Sequence, residues 1–83
     1  MNKPYWQIKH DWFISDIRIL LWEIWTLKKL LRQYAEESLG DILRQTIKKL
    51  KKELAGVVKE YANIYGDKPD ITIMRREVEN ANQ

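Results

Sequence analysis

Residues 13–34 read FISDIRILLWEIWTLKKLLRQY, and the spacing of their apolar side chains indicates a helical fold. Its large apolar side chains recur at alternating spacings of four and three residues: Phe13, Ile17, Leu20, Ile24, Leu27, Leu31 and Tyr34. That spacing places them along one side of an α-helix. We predict a helix over residues 11–38, after an N-terminal arm over residues 1–10. Asp11 and Ser15 are both suitable N-cap residues for its first turn.

A second stretch, residues 41–65, repeats the pattern. Its apolar side chains keep the same spacing: Leu43, Ile47, Leu50, Leu54, Val57, Tyr61 and Ile64. The two patterns are out of phase near Gly40, which suits a left-handed helix end, and Asp41, which suits the next N-cap. We therefore predict a long antiparallel helical hairpin. One bent helix is the alternative, because a weaker apolar bridge crosses the turn.

The C-terminal segment follows a turn predicted at residues 66–70. Ile71 and Ile73 alternate as in a strand, whereas Ile71, Met74 and Val78 have helical spacing. A lone strand would have no partner in a helical chain, so we predict a short helix over residues 70–80. The fold class is all-α, with residues 1–83 forming a single helical domain.

The first helix is apolar on more than one side. Ile14, Leu21, Trp22 and Trp25 lie on or beyond a flank well away from the Phe13–Tyr34 pattern, at about 100° per residue. This flank could be covered by the C-terminal segment, by a second copy of the chain, or by an unidentified protein. We rank the second copy first, which predicts a homodimer of the four-helix-bundle type. The expected function is protein–protein association, as a regulatory, inhibitory or accessory subunit.

Catalytic chemistry has little support in the composition. The 83 residues include no cysteine and one histidine, His10, which we expect to be a surface or capping residue. His10, Asp11 and Ser15 show no spacing typical of a catalytic triad, and neither zinc-ligand sets nor phosphate-binding glycine loops occur. We expect no enzyme activity, cofactor, metal or small-molecule substrate.

Positive charge is concentrated on the second helix. The chain has a net charge of +3 and a sequence pI near 9.2. Basic residues recur along the second helix: Arg44, Lys48, Lys49, Lys52 and Lys59. Binding of DNA or RNA through these side chains is the alternative function.

Membrane insertion is not expected. The most apolar stretch, residues 17–31, is interrupted by Arg18, Glu23, Lys28 and Lys29. A spanning helix needs about 18 or more nearly uncharged residues. The N-terminal residues lack the order of a signal peptide, so we expect a cytoplasmic protein.

Overall fold

The computed structural model describes residues 4–81. Over this range the chain forms three helices: α1 (Tyr5–Tyr34), α2 (Ser38–Tyr65) and α3 (Ile71–Ala81). α1 and α2 pack as an antiparallel hairpin, and α3 packs on α1. The all-α prediction is confirmed, and the single bent helix and the C-terminal strand are excluded.

α1 begins at Tyr5, well before the predicted start, so most of the expected N-terminal arm is helix. The apolar spacing does not continue from Phe13 to the start of α1, because a polar residue, His10, lies on the side of α1 that faces α2. His10 Nε2 is 2.8 Å from the Tyr61 hydroxyl. The Tyr65 hydroxyl donates a hydrogen bond to the Trp6 carbonyl oxygen at 3.1 Å. These contacts hold the first turns of α1, although Pro4 provides no side-chain cap.

His10 is half-buried, with 37% of its side chain exposed, so it lies at the surface but also packs against α2. Its ring packs against Tyr61 and Tyr65, with centroid distances of 5.4 and 5.3 Å. Phe13 meets the same two tyrosines nearly edge-on. At this end of the hairpin Tyr65 is half-buried, whereas the predicted packing residue Ile64 is 45% exposed.

The turn of the hairpin lies at residues 35–37, earlier than predicted, and the roles assigned to Gly40 and Asp41 were wrong. α1 ends at Tyr34, Glu37 is the N-cap of α2, and Gly40 lies in the first turn of that helix with a negative φ. Glycine is needed there for space, since a Cβ atom on Gly40 would lie 2.6 Å from the carbonyl oxygens of both Tyr34 and Ala35.

The end of α2 and the start of α3 lie where the sequence predicts them. Gly66 has a φ of 84°, and its backbone N–H donates to the Ala62 carbonyl oxygen, which closes α2. Asp70 then accepts a hydrogen bond from the Ile73 N–H through Oδ1 at 3.0 Å. That bond caps the first turn of α3.

The core is one apolar cluster centred on α1. It combines side chains from all three helices: Ile17, Leu21, Ile24, Ile47, Leu54, Met74 and Val78. α2 and α3 each pack on α1, and over residues 4–81 they do not pack on each other. The side of α1 that meets them is therefore covered by two separate helices.

Candidate protein-interaction face

The four predicted interface residues are placed in different environments. Leu21 is 4% exposed and belongs to the core, and Ile14 is half-buried against it. Trp25 is half-buried, with the Lys29 ammonium 4.8 Å from its ring centroid. Trp22 remains 45% exposed. Of the four, Trp22 alone is an exposed side chain.

α3 accounts for this arrangement. Its buried side chains Met74 and Val78 pack into the same cluster as Leu21. Arg18 on α1 donates a hydrogen bond to Glu77 on α3, with a nitrogen–oxygen distance of 3.1 Å. Within one chain the C-terminal segment therefore covers the flank that we expected a second copy to cover.

A different side of α1 remains exposed. We call it the outer face and define it by five large side chains on α1: Tyr5, Trp12, Ile19, Trp22 and Leu30. At about 100° per residue they fall within a sector of roughly 100° on the opposite side from Ile17. Their exposed fractions run from 70% for Tyr5 to 39% for Leu30.

The outer face exposes a substantial apolar area. Aromatic side chains present roughly 150–250 Å² each, so the five residues together expose roughly 500 Å² of mostly apolar surface. The largest apolar patch on a typical single chain is about 300–600 Å² and is often functional, so the outer face has the size of a functional patch. Sequence reasoning did not single out this face, although Tyr5, Trp12 and Ile19 recur at intervals of seven residues.

The centre of the outer face is shaped by its neighbours on both sides. A hollow beside Trp22 and Ile19 is lined by Val78 and Ala81 of α3. On the other side of Ile19, a second hollow reaches Val57 of α2. Ile19 therefore projects between two hollows. Side chains of a partner can insert into these hollows.

The charges around the outer face differ between its two edges. The hollow shared with α2 is bordered by three acidic residues, Asp16, Glu53 and Glu60. On the α3 edge, Arg18 and Glu77 form an ion pair that has no net charge.

One polar group lies unsatisfied near the outer face. The Thr26 hydroxyl oxygen is buried and has no hydrogen-bond partner among the described residues. It lines a hollow together with Trp22, Thr46 and Leu50. An unsatisfied buried hydroxyl costs about 1–3 kcal/mol, so this region of α1 is not optimised for the stability of one chain.

The residues predicted to bind nucleic acid are all exposed on α2. They are Arg44, Lys48, Lys49, Lys52 and Lys59. Arg44 also has a structural role, since it donates to Asp41 Oδ1 at 3.0 Å and to the Ala35 carbonyl oxygen at 2.8 Å. It thereby ties the first turns of α2 to the end of α1.

Over residues 4–81, none of the helices has both the length and the apolar composition to cross a membrane. The same range contains no group of three or more histidine or acidic side chains that could hold a metal ion. Comparison with known protein families, curated proteins and solved structures finds no match to this chain.

Proposed function

We propose that this protein acts through protein–protein association, without catalysis, and that the outer face of α1 is its docking surface. The observation that carries the proposal is the exposure of Trp12, Ile19 and Trp22 on one side of a helix whose other side is already packed. Tryptophan is enriched among the residues that dominate binding energy at protein interfaces.

A second copy of the chain is the partner that we propose first. The outer face runs along most of α1, a 30-residue helix that is about 45 Å long at 1.5 Å per residue. A straight apolar face of this length fits another of the same kind, and two hairpins packed together form a bundle. A standard interface buries about 800 Å² per partner, of which the five side chains supply more than half.

Substitution at the centre of the outer face tests the proposal. We expect Ile19→Glu to convert a dimer to single chains, because its carboxylate would be buried at the interface beside the acidic side chains of Asp16, Glu53 and Glu60. Ile64→Glu is the matched control, since Ile64 is similarly exposed but lies on α2. Sedimentation velocity of both variants and the parent chain gives the result. Equal sedimentation of Ile19→Glu and Ile64→Glu would contradict docking through the outer face.

Nucleic-acid binding is a second candidate, supported by the exposure of Lys48, Lys52 and Lys59 on one helix. Binding of this kind would weaken steeply with salt, since it releases counterions from the phosphate backbone. We expect Lys48→Glu with Lys52→Glu to abolish it while the fold is retained. Absence of DNA and RNA binding by the parent chain at low salt would exclude this function.

A further inference from the structure

A cleft lies on the side of α1 that faces away from the outer face. Because α2 and α3 both pack on α1 but not on each other, a gap remains between them. The gap has a volume of about 300 Å³. Its floor is formed by Leu21 and Ile24 of α1, and α2 and α3 supply the two walls.

The walls of the cleft are apolar at depth. Leu54 and Val58 line it from α2, and Ile71 lines it from α3. The Trp25 ring forms part of the α1 side. The volume lies at the lower limit of ordinary ligand pockets, which range from about 300 to 1,000 Å³, so a ligand here would be small and largely apolar.

Positive charge surrounds this apolar cleft. Lys28 of α1, Lys51 of α2 and Arg75 of α3 all line it, so each helix contributes one cation. Glu79 is the one acidic side chain among the lining residues. The titratable groups that line the cleft therefore leave an excess of two positive charges.

The pKa of Lys28 is affected by partial burial and by the two neighbouring cations. Partial burial lowers the pKa of Lys28, and the positive charges of Lys51 and Arg75 lower it further, whereas Glu79 raises it. An anion placed among these groups would relieve the repulsion between them. It would also accept charge-assisted hydrogen bonds, which are about twice as strong as neutral ones.

We propose that the cleft binds a small amphipathic carboxylate of the size of a medium-chain fatty acid, with its apolar chain against Leu54, Val58 and Ile71 and its carboxylate among Lys28, Lys51 and Arg75. This site lies apart from the outer face, and binding there does not depend on self-association. We had expected no small-molecule substrate. The sequence carries no motif for this cleft, because the gap arises from how α2 and α3 are placed on α1.

Calorimetric titration with decanoate, below the concentration at which it forms micelles, tests the proposal. We expect saturable binding with one decanoate per chain, much weaker binding of decanol, which lacks the charge, and none of acetate, which lacks the chain. No binding of decanoate would overturn the proposal, and so would decanol that binds as tightly as decanoate.

Two variants locate the binding site. Lys51→Met with Arg75→Met should weaken decanoate binding by at least about tenfold, the effect of losing one hydrogen bond to a charged group. Lys59→Met is the control, since Lys59 is an exposed cation of α2 outside the cleft.

Ala55→Phe keeps every charge and fills the cleft, because Ala55 is exposed on its α2 wall. This variant should also lose decanoate binding while its helical circular dichroism is unchanged. Full binding by Ala55→Phe, or by the Lys51→Met and Arg75→Met variant, would contradict the assignment.

Discussion

α1 has two apolar sides, of which one is buried and the other is exposed. Ile17 is 0% exposed, whereas Ile19, the same residue type two positions further along, is 51% exposed. α2 and α3 together cover the side that bears Ile17 and Leu21, and the outer face with Trp12 and Trp22 is left exposed. Over residues 4–81, α2 and α3 cover one broad side of α1 and leave the other exposed. The outer face is therefore the surface on which we propose that a partner docks.

The largest expected difference between the two sides comes from one matched pair of substitutions. Ile17→Ala should lower the free energy of unfolding by about 2–5 kcal/mol, since it leaves a cavity in the core. Ile19→Ala should change the stability of the single chain by no more than about 0.5 kcal/mol, as is usual for surface positions. Urea unfolding at a concentration low enough to keep the chain monomeric measures both. Similar losses for the two variants would mean that the two sides are not distinct.

The next largest effect on stability is expected at Gly40, where the start of α2 lies close to the end of α1. Gly40→Ala should destabilise the chain by about 1–3 kcal/mol, because the backbone oxygens that the new Cβ would meet cannot move aside cheaply. Gly56→Ala is the control, since nothing lies within 4 Å of a Cβ at Gly56. That change should stabilise α2 by about 0.5–1 kcal/mol. Thermal unfolding should show shifts of opposite sign.

Thr26 gives a smaller difference, near the outer face. Thr26→Val removes the unsatisfied hydroxyl and keeps the branched shape, so it should raise the free energy of unfolding by about 1 kcal/mol. The matched control is Thr46→Val, because the Thr46 hydroxyl donates to the Ile42 carbonyl oxygen at 2.9 Å. Denaturant unfolding of both variants should show stabilisation for Thr26→Val alone. Equal effects would indicate that the Thr26 hydroxyl is satisfied in solution.

The smallest effect concerns the cleft on the covered side. Lys28 has its pKa lowered in the folded chain, so its charged form is disfavoured by folding. The resulting cost is present below the folded pKa and disappears as the pH rises past the unfolded value. Lys28→Met should therefore raise stability at neutral pH by a few tenths of a kcal/mol, the usual size of a like-charge interaction on helices. The gain should shrink as the pH rises above 10, and a gain independent of pH would point to packing instead.

Much of the fold could be predicted, because the apolar side chains of α1 and α2 recur at spacings that are typical of helices. The positions of Gly66 and Asp70 at a helix end and a helix start also follow from local backbone preferences. The start of α1 could not be predicted, because it depends on contacts of His10 with Tyr61 and of Trp6 with Tyr65, residues more than 50 positions apart.

The candidate site was harder to predict than the fold. Periodicity showed that α1 is apolar on more than one side, but it could not say which side α3 would cover. Leu21 and Trp22 are neighbours in sequence, and the packing of α3 leaves one 4% and the other 45% exposed. The cleft could not be predicted for the same reason, since Lys28, Lys51 and Arg75 lie on three different helices.

The mass of the parent chain in solution shows whether the outer face joins two copies of the chain. Light scattering coupled to size-exclusion chromatography, over a series of dilutions, distinguishes one chain of 10.0 kDa from two. We predict twice the mass of the single chain, persisting on dilution into the low micromolar range. A mass of 10.0 kDa at every concentration would contradict self-association through the outer face.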